Sequence, residues 1–175
     1  MSPPVFGVVG WKNSGKTTLM TNLITELARR GFAVSVIKHA HVKFDVDHPD
    51  RDSYKMREAG ACQVMLSSPR RFAVMRELGD APEMTFEELL QHVGPCDLVL
   101  VEGYKRDAYP KIEIRREGAA SREPLIGDFP QVMAIASDRP GNEADAVPVF
   151  AIDNTQEIAD FIVHTLVLEA PCRQS

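Results

Sequence analysis

One eight-residue stretch near the N-terminus, Gly10-Trp-Lys-Asn-Ser-Gly-Lys-Thr17, constrains the fold more than any other part of the chain. It fits G-x-x-x-x-G-K-[ST] at every fixed position, a pattern that cradles a phosphate chain only between a buried strand and a helix. The flanking sequence supplies both. Val5-Phe-Gly-Val-Val9 is a short apolar run suited to a strand buried on both faces. From Lys16 to Arg30, apolar residues recur at Leu19, Met20, Leu23, Ile24, Leu27 and Ala28, the spacing of an amphipathic helix, and Gly31 follows as its stop. Ala33-Val-Ser-Val-Ile37 reads as a second buried strand, so the opening forms a parallel strand-helix-strand unit. Within it Gly10 and Gly15 allow a loop whose N–H groups point inward, and the positive end of the helix adds to the pull on an anion. The candidate phosphate contacts are Gly10, Asn13, Ser14, Gly15, Lys16, Thr17 and Thr18. Lys16 is expected to reach the terminal phosphates, Thr17 to offer its hydroxyl to Mg²⁺, and Thr18 to lie near the α-phosphate.

The remaining pattern alternates strands and helices. Asp52 or Ser53 can cap a short helix through Ala59. Cys62–Leu66 and Phe72–Met75 are strands of a hairpin around Ser-Ser-Pro-Arg. Thr85 with Glu88 forms a capping box ahead of a helix Phe86–His92. Asp97–Val101 and Val132–Ala136 read as buried strands, and Lys111-Ile-Glu-Ile-Arg115 alternates like a half-exposed one that can pair across a two-fold axis. After Val147–Ile152, Asn154 caps a last helix, Gln156–Leu168. This is the pattern of an α/β, P-loop NTPase-like fold: a mostly parallel, doubly wound sheet with helices on both faces and a β-hairpin extension. The length, 175 residues, suits one nucleotide-binding domain over 1–170 with a polar tail at 171–175.

Net charge is −5, so no global field grips a nucleic-acid backbone and any anion must be held locally. The apolar runs are far shorter than a bilayer span and the N-terminus lacks a secretory design, which leads to the expectation of a cytoplasmic protein. Three cysteines, Cys62, Cys96 and Cys172, form no C-x-x-C pair, so neither a disulfide framework nor a zinc knuckle is indicated.

A magnesium site needs a carboxylate at the end of a neighbouring buried strand. Asp97 begins such a strand and Glu102 ends it. Ligands collect at the carboxyl ends of parallel strands, so Glu102 is the candidate and a solvated loop carboxylate is the competing reading. The loop with His39, His41, Asp45, Asp47 and His48 falls at the same edge; structural or substrate-contact roles outweigh a transition-metal site, and Asp45 or Asp47 offers a water-mediated contact to Mg²⁺. Lys105, Arg106 and Arg115 are candidate anion contacts, whereas Arg70 and Arg71 read as solvated surface. Asp138 follows a late strand, where a carboxylate can read guanine; a turn aspartate is the equal alternative.

Five blocks then occur in order: the loop Gly10–Thr18, Ile37-Lys-His-Ala-His41, Asp52-Ser-Tyr with Ala59-Gly-Ala, Val101-Glu-Gly-Tyr-Lys105, and Pro110-Lys-Ile-Glu-Ile114. Together, over nearly the whole chain, they resemble the MobB family of molybdopterin-guanine dinucleotide biosynthesis adaptors. The resemblance implies a cytoplasmic, dimeric protein with GTP and Mg²⁺ as cofactors and weak GTPase activity. It also implies a partner, a MobA-type guanylyltransferase that joins GMP to molybdopterin, with molybdopterin itself a further candidate contact. Carried across by motif, Gly10, Asn13–Thr18 and Glu102 form the phosphate and magnesium site, with Lys16 and Glu102 in the catalytic roles and Lys105 beside them. The loop reads His39-Ala-His41-Val42 where family members often continue with a further histidine, and no Asn-Lys-x-Asp motif is present. Guanine preference therefore follows from the resemblance and from Asp138. Slow turnover agrees with the lack of an identifiable water-orienting residue and cationic finger. A small-molecule kinase and a metal-inserting GTPase are the alternative functions.

Overall fold

The computed structural model describes residues 2–40, 44–121, 123–142 and 146–169. The chain forms two compact units, one comprising Met1–His39 with Phe86–Ser175 and the other Ala40–Thr85. The division follows from local pairing, because the segment after His39 builds its own helix and hairpin.

In the larger unit, β1 (Val5–Gly10), β2 (Val34–Lys38), β5 (Leu98–Glu102), β6 (Lys111–Arg115), β7 (Val132–Ser137) and β8 (Val149–Ala151) form one sheet in the order β2-β5-β1-β6-β7-β8. Every pairing in it is parallel. Strand alternation sends Phe6, Val8, Leu98, Leu100, Ile112 and Ile114 to one face. There they pack on α1 (Lys16–Arg29) and α4 (Thr155–Thr165) through Leu19, Leu23, Leu27, Ile158 and Ile162. Val99, Val101 and Ile37 meet Phe86 of α3 (Phe86–Gln91) on the opposite face, so helices cover both sides. Each fully buried Leu or Ile contributes roughly 1.5–3 kcal/mol relative to exposure. Asn154 caps α4 by accepting from the Glu157 N–H, as its sequence position predicts, although the helix ends at Thr165, short of Leu168.

Lys111–Arg115 corrects the sequence reading. All five residues are buried, because β6 lies between β1 and β7 and is not an edge. The alternation that suggested solvent exposure is instead charged groups satisfied inside. Lys111 Nζ donates to the carbonyls of Asp107 and Tyr109 and lies 3.6 Å from the Tyr109 ring centroid. Glu113 accepts from the Leu125 N–H at 2.9 Å and from Arg115 at 3.0 Å. Pairing of this strand across a two-fold axis is thereby excluded.

Gly7 lies opposite Lys111 in the β1–β6 register, and a Cβ there would stand 2.7 Å from Tyr109 Cε2 and 2.8 Å from Lys111 Cγ. Both neighbours are buried and cannot swing away. Gly7→Ala is therefore expected to destabilise the fold by about 1–3 kcal/mol, seen as a fall of several degrees in Tm in a thermal melt; an unchanged Tm would contradict this packing.

The second unit holds α2 (Asp52–Glu58) and the antiparallel pair β3 (Gln63–Ser67) and β4 (Phe72–Arg76), the expected hairpin. Neither Asp52 nor Ser53 caps α2. The cap position is Arg51, without a side-chain bond, and Ser53 Oγ donates to Asp47 at 3.0 Å.

Candidate functional site

The loop after β1 combines backbone freedom with side-chain economy. Gly15, the residue before α1, has φ +91°, and Asn13 takes φ +64°, a left-handed conformation that Asn tolerates better than most residues. Gly10 is packed closely, since a Cβ would stand 2.6 Å from Ser14 Oγ and 3.0 Å from the Ile114 carbonyl oxygen. Ser14 turns inward: its hydroxyl is fully buried beneath Gly10 and its N–H closes a turn on the Trp11 carbonyl. Lys16 Nζ spans the loop, donating to the carbonyls of Gly10 at 3.2 Å and Trp11 at 2.8 Å. Partial burial holds its ammonium below the ordinary lysine range, with Glu102 opposing and Lys105 and Lys38 adding to the depression.

Glu102 ends β5 and is adjacent to β1 in the sheet, so the expected pair is brought together: Thr17 Oγ1 donates to Glu102 Oε2 at 3.4 Å. A neutral hydroxyl and a carboxylate are hard oxygen donors suited to Mg²⁺. The same Oε2 lies 3.3 Å from Lys38 Nζ, so a cation already sits against this carboxylate. Asp97, the rejected candidate, is at the other end of β5, where it accepts from the Ala33 N–H at 2.6 Å. Lys105 lies with Nζ 4.4 Å from the Trp11 ring centroid, which places its charge beside the loop. Gly103 takes φ +100°, and a Cβ there would stand 2.8 Å from the Cβ of His39, whose ring stacks on Tyr104 at 4.7 Å.

Across β1 from Glu102, a cavity of about 150 Å³ opens beside Gly15, with Thr18 and Asn22 of α1, Arg116 after β6, Asp138 after β7 and Asp153 after β8 on its walls. Asp138 thus shares this cavity with Gly15 of the loop, its Oδ2 accepting from the Glu117 N–H at 3.0 Å. Arg116, Asn22, Asp153 and Lys38 were not singled out from sequence. The signal for Lys38 was the register of β2 on β5, which pairs it with Glu102.

Other candidates are occupied elsewhere. Arg115 is buried against Glu113, so it does not offer its charge at the surface. Asp45 and Asp47 belong to the smaller unit, where both lie against Arg57; the Asp47 N–H and Arg57 hold the Asp45 carboxyl below its usual range. His48 and the exposed Arg70 and Arg71 also belong to that unit, Arg106 is exposed in the larger one, and His41 lies outside the described residues. Among the described residues, no three His, Cys, Asp or Glu side chains converge as a metal set. Nor is any described helix long and apolar enough to cross a membrane.

A phosphate-binding loop at the carboxyl edge of an all-parallel sheet, with helices on both faces, defines a P-loop NTPase-like fold. The family model for MobB, molybdopterin guanine dinucleotide synthesis protein B, matches residues 5–138, and the chain belongs to that family. Over 163 residues the chain is 40% identical to the molybdopterin-guanine dinucleotide biosynthesis adapter protein of Escherichia coli (strain K12), covering 91% of each chain. It is 39% identical, again over 163 residues, to the protein of the same description from Haemophilus influenzae, covering 93% of this chain and 89% of that one. A crystal structure of molybdopterin-guanine biosynthesis protein B (mobB) matches with a TM-score of 0.70 and 26% identity, over 93% of this chain and 99% of that chain.

Proposed function

We propose that this chain is a GTP- and Mg²⁺-binding adapter in molybdopterin guanine dinucleotide biosynthesis, a cytoplasmic homodimer with weak GTPase activity that assists a MobA-type guanylyltransferase. The observation that carries the nucleotide reading is the convergence of Lys16, Thr17 and Glu102 at one sheet edge, with Thr17 Oγ1 and Glu102 Oε2 only 3.4 Å apart. The adapter reading is supported by family membership and by the relatives of that description.

In this reading the N–H groups of the loop and of the first turn of α1 bind the phosphates, and Lys16 neutralises charge towards their terminal end. Thr17 and Glu102 hold Mg²⁺, which when bound supplies charge neutralisation and fixes the orientation of the phosphate chain. Asp138 accepts from the purine edge. The 150 Å³ cavity beside it is of a size that admits a six-membered ring, and its walls carry both acceptors and the Arg116 donor.

Titration calorimetry with GTP and then ATP, each with magnesium, tests the reading. GTP is expected to bind at least ten-fold more tightly; equal or tighter binding of ATP would remove the guanine assignment and favour a small-molecule kinase.

A further inference from the structure

The nucleotide is given a direction by the two ends of the site. The base cavity lies towards β7 and β8, past Gly15, whereas Glu102 and Lys38 lie on the other side of β1, on β5 and β2. A triphosphate seated on the loop therefore points its terminal phosphate towards Lys38. We propose that Lys38 is a terminal-phosphate sensor: it exchanges its contact with Glu102 for the γ-phosphate when Mg²⁺ and a nucleoside triphosphate bind, so that the site distinguishes triphosphate from diphosphate. This rests on the nucleotide reading above.

Three observations carry it. Glu102 Oε2 is approached at once by Lys38 Nζ at 3.3 Å and by Thr17 Oγ1 at 3.4 Å. A divalent cation held by Thr17 and Glu102 would face the Lys38 ammonium at short range, and like charges at that separation repel. One of the two must yield. The Lys38 side chain is 52% exposed whereas that of Glu102 is 13% exposed, so the lysine is the mobile partner. Its backbone, by contrast, is pinned: the His39 N–H donates to the Glu102 carbonyl at 2.9 Å, and the His39 ring stacks on Tyr104. The result is a flexible cation on a fixed mount. Finally, three ammonium groups gather at the loop around one carboxylate: Lys16 on the Gly10 and Trp11 carbonyls, Lys105 over the Trp11 ring, and Lys38 on Glu102. That excess of positive charge suits a polyanion with one charged group more than a diphosphate has.

The test compares GDP with the non-hydrolysable guanosine 5′-(β,γ-imido)triphosphate, by calorimetry in magnesium, for wild type, Lys38→Met and Lys38→Arg. Lys38→Met is expected to weaken the triphosphate analogue about ten-fold or more while leaving GDP within about two-fold, the loss of one charge-assisted contact, and Lys38→Arg to restore most of the difference. Thermal melts establish that both variants fold. Equal loss of both nucleotides, or loss of neither, overturns the sensor. If wild type binds neither nucleotide, the nucleotide reading itself fails and the sensor falls with it.

Discussion

Lys16→Ala is expected to abolish measurable GTP binding, lowering affinity by about a hundred-fold or more while the fold persists. The ammonium bridges the loop through the Gly10 and Trp11 carbonyls, so it is already positioned at the place where the proposed reading seats the phosphates. Hydrogen bonds to charged groups contribute roughly 1.5–3 kcal/mol each, and a lysine reaching two phosphates makes more than one. Its removal also leaves Glu102 facing the nucleotide with less cationic compensation. Stability should change little, since Lys16 lies at the start of α1 and is not among the core residues. Calorimetry reads the affinity and a thermal melt the fold. A variant that still binds GTP at wild-type strength would dissociate the loop from nucleotide binding altogether. The lowered pKa gives a second readout in the wild type. Burial favours the neutral amine, so GTP affinity is expected to decline as pH rises towards that depressed value, at a lower pH than the ordinary 10.5 would imply.

Much of this site was legible because its chemistry is local. The loop, its strand and its helix are contiguous, and each carries its own signal: an apolar run, two glycines and a stripe repeating every three to four residues. Glu102 was placed beside the loop by a positional rule for parallel strands, and the structure puts it there because every pairing in the six-stranded sheet is parallel. What escaped depended on neighbours far apart in sequence. Lys111-Ile-Glu-Ile-Arg115 carries the alternation of a solvated strand, yet its charges are satisfied by Asp107, Tyr109 and Leu125, partners that no period announces. Lys38 is unremarkable at the end of an apolar run until β2 is placed beside β5, opposite Glu102. Arg116 and Asp153 meet only where the ends of β6 and β8 come to the same helix terminus. At α2 the sequence offered two good cap residues, but Ser53 bonds Asp47 instead, a tertiary preference outweighing a local one.

Glu102→Gln separates metal from phosphate at this edge, because it removes a charge while keeping the shape. In the presence of EDTA the variant is expected to bind GTP at least as well as wild type: a carboxylate that repels the phosphates is gone, and Gln can still accept from Thr17. With magnesium the order reverses. Wild type gains affinity through the ion held by Thr17 and Glu102, and the variant is expected to lose about ten- to a hundred-fold of that gain, since an amide oxygen lacks the charge a hard divalent cation requires. Two side effects identify the cause. Lys38 loses the partner it holds at 3.3 Å, and Lys16 loses a carboxylate that supports its charged form, so the Lys16 pKa falls further and the alkaline decline in GTP affinity begins at lower pH. Paired titrations with magnesium and with EDTA, repeated at two pH values, read all three consequences. An unaltered response to magnesium would transfer the carboxylate role away from Glu102 and leave the Lys38–Glu102 pair a structural contact alone.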